Sequence, residues 1–309
     1  MDTSFLSPDV QGLVKQLSGE LANFQEIARN LVPQPGERPR LAGLDVYGGT
    51  RPLNGVVGGD HLIYVDFKQR FDLDARIQQA VQAGRNDVVE NLRRCQRMAG
   101  IALIDVSGHR VTDALLTAML HQAFLLGAIY ELDMSGHVTR RLFENLNTRF
   151  YQSSSAHKFI SMIYGEISED AKFRFLSAAQ SFPLVFSAHH DRFMEVSADV
   201  RVSFPPLGTM PSLHVIDRHR TTTSLLGFKD RYQMNEWVLM GQGDILLLYT
   251  DGLSEHQRDG EDYAPVRLEQ VIREHKAASA ADIYNAVMAD LLAFGPPADD
   301  ISLVVIKRG

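Results

Sequence analysis

The chain has 309 residues, 45% hydrophobic and 22% charged, with 23 Gly, 12 Pro and a single Cys. That excludes a collagen-like, disordered or disulfide-built protein, and one or two domains with a sizeable core fit the length. The formal net charge of −7 speaks against a surface dedicated to coating nucleic acid, because neutralising phosphates needs clustered Lys and Arg. Cys95 has no partner for an intramolecular disulfide and fits a reducing compartment. No stretch reaches 18 consecutive apolar residues, and MDTSFLSPDV lacks a basic region followed by an apolar run. The expectation is a soluble, cytoplasmic protein that engages neither membrane nor nucleic acid.

The first element has a helical rhythm. Val10, Val14, Leu17, Leu21, Phe24, Ala28 and Leu31 alternate spacings of four and three, the pattern of a coiled-coil seam. An amphipathic helix lying on the main domain is the other reading. Ser7-Pro8-Asp9 starts the helix, and Pro33 and Pro35-Gly36 stop it. Residues 1–35 are therefore expected to form a linker or dimerisation helix, and residues 40–309 the main domain.

Strands are predicted at Leu44–Tyr47 and Leu62–Phe67, flanking the turn-rich Arg51–Asp60. Asp72–Arg97 reads as one or two helices inserted between strands. Its Arg76, Arg85, Arg93, Arg94 and Arg97 suit a solvated face, or else a lid, dimer contact or docking element. Ile101–Asp105 reads as a buried strand, followed by helices from Val111 to about Tyr130 and from Val138 to about Tyr151. Further strands are expected at Phe159–Ile167, Lys172–Ala178, Leu184–Phe186, Trp237–Met240, Ile245–Tyr249 and Ile301–Lys307. Two more helices are expected near Pro265–His275 and Ser279–Phe294, while residues 197–222 read as a long connection. The pattern is α+β, with sheets packed together and helices outside.

The informative residues are acids beside strand ends and turns. Asp60 ends Gly58-Gly59-Asp60, Asp105 ends GIALID, Asp251 ends ILLLYTD before Gly252, and Asp299-Asp300 precedes ISLVVI. A carboxylate at a buried strand end is costly without hydrogen bonds or a cation. One alone is usually an N-cap or an Asx turn. Several together suggest an oxygen-rich pocket suited to hard divalent cations such as Mg(II) or Mn(II). The adjacent glycines would let the backbone turn sharply or approach closely. Two cations in such a pocket can activate a water and stabilise charge developing on a phosphoryl oxygen. No H-E-x-x-H zinc pattern, P-loop ending or G-x-S-x-G elbow occurs.

From about Phe24 to the C-terminus the sequence resembles the PPM (protein phosphatase 2C-type) metal-dependent phosphatases, specifically their bacterial SpoIIE-like/RsbU-like branch. The segments that carry the likeness are the VGGD of the first strands, IALIDVSGHRVTDALLTAML, GDILLLYTDGLSEH and PADDISLVVIK, in the family's order. The resemblance implies a β-sandwich of two antiparallel sheets flanked by helices. It also implies hydrolysis of phosphoserine or phosphothreonine by a metal-bridging water, without a protein nucleophile. Asp105 would bridge two Mn(II) or Mg(II) ions, the Val106 carbonyl would complete one shell, and Asp251 and Asp299 would hold the second ion. Asp60 would serve the outer part of the site, with Asp300 the alternative ligand to Asp299. The implied substrate is a phosphorylated anti-anti-sigma (STAS) protein in bacterial partner switching. Control would come from a separate regulator or from the N-terminal helix in a homodimer.

Two departures touch the motifs. Arg110 stands where the family usually has Gly after Ser-Gly-His, and Ala179-Gln180-Ser181 replaces Gly-His-Asn. Arg110 could approach the phosphate or be a solvated residue at a helix start. His109 could assist proton transfer or stabilise a turn. The rival functional reading is a catalytically weak partner-binding module of the same fold.

Overall fold

The computed structural model describes residues 7–54, 57–108, 111–153, 158–213, 224, 226–238 and 240–309. His109, Arg110, His214 and His219 lie outside the described residues. Helix α1 covers Pro8–Arg29, and the main domain opens with β1 (Leu44–Arg51) and β2 (His61–Asp66). Three helices follow: α2 (Phe67–Arg70), α3 (Leu73–Gln82) and α4 (Asn86–Cys95). Then come β3 (Met98–Val106), α5 (Val111–Ser135) and α6 (Arg140–Ser153). Strands β4 (Ile160–Ser168), β5 (Phe173–Ala178), β6 (Leu184–Ser187), β7 (Arg192–Phe193), β8 (Ser203–Phe204) and β9 (Asn235–Trp237) precede β10 (Ile245–Tyr249). The chain ends through α7 (Asp251–Ser254), the ribbon β11 (Gln257–Arg258) and β12 (Glu261–Asp262), helices α8 (Val266–His275) and α9 (Ala280–Phe294), and β13 (Ile301–Arg308).

Two sheets result. One runs β1-β13-β10-β6-β7, and the other β2-β3-β4-β5-β8 with β9 also paired to β5. The pairs are antiparallel except the two-residue β5·β8 contact, which is parallel. Successive side chains in a strand point to opposite faces, so a strand buried on both sides reads as an unbroken apolar run. In β10, Leu246 and Leu248 enter the layer between the sheets, with Leu62, Ile101, Leu103, Phe175, Val304 and Ile306. Ile245 and Leu247 face outward onto α8 and α9, with Leu268, Ile272, Ile283, Val287 and Leu291. The outer face of the other sheet, with Ile63, Ala102, Ile104 and Met162, is covered by Val88, Leu92, Phe124 and Phe143. The order of layers is helices, sheet, sheet, helices, as the sequence led us to expect.

Helix α5 is long and apolar enough over Thr112–Ser135 to cross a membrane by length and composition alone. One face packs into the core, while Leu115, Met119, Leu126, Ile129, Tyr130 and Met134 on the other are exposed. Leu120, Phe124, Ala128 and Leu132 are fully buried on the sheet, as are the polar Thr117 and most of Glu131.

The insertion between β2 and β3 forms two helices joined at Gly84, which takes a left-handed φ of 68°. The hairpin sits at the C-terminal end of α5. Arg85 donates to the carbonyls of Asp133 (2.9 Å) and Met134 (2.5 Å), Asn91 donates to that of Ser135, and Arg76 pairs with Asp133 at 2.9 Å. These groups satisfy carbonyls that the helix end leaves open. A helix of α5's length spans roughly 37 Å. The acids named above lie at its other end, so the hairpin does not lie over them as a lid would. Cys95 is buried there, its thiol donating to the Gly136 carbonyl.

The two-residue strands β7, β8, β11 and β12 were not expected, and one predicted strand is shifted. Asn235–Trp237 pairs with β5, whereas the apolar Trp237–Met240 was expected. The pairing follows Asn235, whose amide donates to the Val202 carbonyl and whose carbonyl oxygen accepts from the Val202 N–H. In α1 only Ala28 is buried; Val10, Leu13, Val14, Leu17 and Leu21 are exposed. The helix therefore does not lie on the domain by its apolar face. Leu92→Ala should cost about 2–5 kcal/mol, since Leu92 is 1% exposed among α4's core contacts. Val81→Ala, at a 54% exposed position of the same hairpin, should change stability by no more than about 0.5 kcal/mol; urea unfolding checks both.

Candidate active site

The antiparallel register brings the acids together two at a time. In the β2·β3 ladder His61 faces Ile104, and Val106 N donates to the Gly59 carbonyl at 3.3 Å just beyond the ladder. This places Asp60 and Asp105 at one end of that sheet. In the β10·β13 ladder Tyr249 faces Leu303, and Thr250 N donates to the Ser302 carbonyl at 3.2 Å. Asp251 and Asp299-Asp300 therefore share the corresponding end of the other sheet.

Two side chains tie these ends to each other. Asp300 is 2% exposed, and its carboxylate accepts from Leu53 N (2.6 Å), Gly59 N (2.7 Å) and Asp60 N (3.3 Å). Thr250 Oγ1 donates to Asp60 Oδ2 at 2.6 Å and accepts from Ser302 N at 2.9 Å. The glycines serve close approach. A Cβ on Gly58 would stand 2.0 Å from Asp300 Oδ2, and one on Gly252 would stand 1.9 Å from the Asp300 carbonyl oxygen. Neither glycine has a left-handed φ, so the sharp turn expected of them is not what requires glycine there.

Ser161 faces Asp105 across the β3·β4 ladder. Its hydroxyl lies 3.1 Å from Asp105 Oδ2 and 2.7 Å from Gln180 Oε1, and Gln180 Nε2 donates to the Tyr249 carbonyl at 3.1 Å. The departure at Ala179-Gln180-Ser181 thus places Gln180 in a chain of hydrogen bonds running from Asp105 to the strand that carries Asp251. Lys158 pairs with the fully buried Asp113 at 2.5 Å and donates to the Ser107 carbonyl at 2.8 Å, holding the segment after Val106. Sequence reasoning missed Ser161, Thr250 and Lys158. Thr250 could have been noticed beside Asp251, but Ser161 and Lys158 gain their roles only through register.

The electrostatics are those of crowded like charges. Burial raises the Asp60 pKa well above the usual carboxylate value, and Asp105 and Asp300 add to the rise. Asp105 is pushed up to about 7 by burial, then by Asp251, Asp299 and Asp300. Asp251 is raised by burial and by Asp299. Among the described residues no cation figures among the charges acting on these three groups. Among the described residues, no three acidic, His or Cys side chains form a ready-made coordination shell. The oxygen-only donors and their uncompensated charge nevertheless fit hard divalent cations. Asp105, Asp251 and Asp299 are half-buried, whereas the buried Asp300 has its oxygens engaged by backbone N–H groups.

Residues 96–309 match the sequence model of the Stage II sporulation protein E (SpoIIE) family, and the chain belongs to that family. It is 24% identical over 212 residues to the phosphoserine phosphatase RsbU of Bacillus subtilis, a match that covers 67% of this chain and 55% of that protein. The chain thus spans about half the length of this relative. Among solved structures it resembles the SiaA-PP2C domain of Pseudomonas aeruginosa, with a TM-score of 0.62, 16% identity and coverage of 96% of this chain and 98% of that one. It also resembles the PP2C phosphatase domain and regulatory fragment of SpoIIE from Bacillus subtilis, with a TM-score of 0.58, 14% identity and coverage of 87% and 64%. The RsbU and RsbW domains of Rv1364c from Mycobacterium tuberculosis give a TM-score of 0.60, 18% identity and coverage of 87% and 61%. The fold is that of PP2C-type phosphatase domains.

The raised pKa values carry a pH signature. Between the ordinary 3.8 and about 7 the folded chain keeps a proton on Asp105 that the unfolded chain has released. Stability of the metal-free protein should therefore fall as pH rises through that window. Added Mn(II) should reverse the fall, binding more tightly as pH rises because it competes with the same protons. Thermal melts from pH 5 to 8, with and without Mn(II), check both signs.

Proposed function

We propose that the chain is a metal-dependent phosphatase acting on phosphoserine and phosphothreonine in proteins. The observation that carries this reading is the meeting of Asp60, Asp105, Asp251 and Asp299 at one edge of the sandwich, held by Asp300 and Thr250. Membership of the SpoIIE family and the relationship to RsbU support it.

In this reading Asp105, the Val106 carbonyl, Asp251 and Asp299 would hold two Mn(II) or Mg(II) ions, and Asp60 would serve the outer part of the site. Bound there, the cations supply positive charge for the phosphoryl oxygens and an activated water for attack. The protein's own groups prepare the site. Ser161 orients Asp105, Thr250 orients Asp60, and Asp300 fixes the Gly58-Gly59 backbone under both. Asp299 is preferred to Asp300 as the ligand because the Asp300 oxygens already accept three backbone hydrogen bonds. Of the residues that follow Asp105 in the sequence, Arg110 would contact the phosphate, which a guanidinium suits, and His109 would assist proton transfer.

The proposed substrate is a phosphorylated STAS-type anti-anti-sigma protein, by relationship to RsbU, with control by a separate regulator or by α1. The exposed seam from Val10 to Leu21 supports pairing of two α1 helices in a homodimer. The expected assembly is a dimer in sedimentation at micromolar protein, converted to monomer by Leu17→Asp with Leu21→Asp. A wild-type monomer counts against it.

Hydrolysis of para-nitrophenyl phosphate and of a phosphoserine peptide should require Mn(II) or Mg(II) and stop with EDTA. Asp251→Asn and Asp299→Asn should each lower turnover at limiting metal by about a hundredfold or more. Asp300→Asn should instead lower the melting temperature, because it weakens a buried charge-assisted anchor. No turnover with any divalent metal would leave a partner-binding module as the better reading.

A further inference from the structure

Beside the acidic edge lies a cavity of about 270 Å³ that the proposed phosphatase chemistry does not use. Phe182, Met194, Val196, Trp237, Tyr249 and Arg201 line it. Its walls come from the segment that departs from the family pattern and from the end of β10. Phe182 follows Gln180 by two residues, and Gln180 is bonded to both Ser161 and the Tyr249 carbonyl. Tyr249 precedes Asp251 by two residues, a Cα separation of at most about 7 Å. The cavity therefore lies within two residues of the site along β10 and within two residues of Gln180 along the chain.

Its chemistry is specific. The Phe182 ring stacks on Trp237 with centroids 6.4 Å apart and planes 24° apart. Trp237 is fixed from behind by Phe175, edge-on at 4.7 Å, and by its indole N–H, which donates to the Val200 carbonyl at 3.3 Å. The floor is thus rigid and aromatic. Arg201 is exposed and lies 5.7 Å from the centre of the Phe182 ring. Among the described residues no carboxylate stands within ion-pair distance of it. An open cavity with a rigid aromatic floor, roomy enough for one large side chain and rimmed by a guanidinium, suits an apolar anchor with an acidic neighbour.

We propose that this cavity is a specificity pocket for the phosphoprotein substrate. It receives an aromatic or long aliphatic side chain lying about two to four residues from the phosphoresidue in an extended segment, where each residue advances about 3.3 Å. Arg201 holds an acidic side chain next to that anchor. The proposal rests on the phosphatase reading and names the class of segment the site accepts.

The test uses the full chain with Mn(II) and a panel of phosphoserine peptides. The peptides differ only in carrying Trp, Leu or Gly at two to four residues from the phosphoserine, with Asp or Ala next to it. Every rate is normalised to the same protein's turnover of para-nitrophenyl phosphate. The expected result is a kcat/KM about tenfold or more higher for Trp and Leu than for Gly, expressed mainly in KM. Phe182→Ala, which removes a wall, and Met194→Trp, which fills the cavity, should each collapse that ratio to less than about threefold. Arg201→Glu, at an exposed position, should abolish the advantage of Asp over Ala while the apolar preference stays. Flat selectivity in a protein that turns over para-nitrophenyl phosphate overturns the pocket alone. So does selectivity that survives both Phe182→Ala and Met194→Trp in folded protein. Hydrolysis of neither ester nor peptide overturns the phosphatase reading, and the pocket falls with it.

Discussion

A single buried carboxylate holds this architecture together at the point where it matters. Asp300 starts the last strand of one sheet, and its oxygens accept backbone N–H groups from the segment entering the first strand of the other. A buried charge is tolerated when several donors satisfy it, and each such bond is stronger than its neutral counterpart. The geometry leaves no slack. Gly58 and Gly252 both lie against Asp300, one at its carboxylate and the other at its carbonyl, and neither position has room for a side chain. The two sheets are thereby locked edge to edge, with Asp60, Asp105, Asp251 and Asp299 gathered around the lock.

The lock also explains the electrostatics. Fixing the backbone gives the clustered acids no freedom to move apart, so their mutual repulsion and burial appear as raised pKa values at Asp60, Asp105 and Asp251. Neutral donors orient two of them: Thr250 bonds Asp60, and Ser161 bonds Asp105. A lysine at either position would cancel the charge that a divalent cation needs. Among the described residues, Lys158 beside the segment after Val106 is paired with Asp113.

The helices divide the remaining work. Helices α8 and α9 cover one outer sheet face, and α4, α5 and α6 cover the other. The inserted α3–α4 hairpin caps the far end of α5 through Arg85 and Asn91, which gives Arg85 a structural role. Helix α1 keeps Val10, Val14, Leu17 and Leu21 in solvent and buries only Ala28 of its seam among the described residues.

Much of this was legible beforehand. Apolar runs such as ILLLY and ISLVVIK specify strands buried on both faces, because burial on both sides removes the alternation that would otherwise betray a strand. Four acids at strand ends, two of them beside glycines, point to an oxygen-rich site, because charge at a buried strand end demands compensation. The sequence by itself therefore determined the layers and the family likeness and pointed to the acid set, all from patterns local in the chain. Only tertiary structure decided which of Asp299 and Asp300 is consumed as an anchor, that Ser161 faces Asp105, and that Gln180 reaches Tyr249. Those facts depend on strand register and on the approach of two sheets, and both are set by contacts between residues far apart in the chain, which no local pattern records.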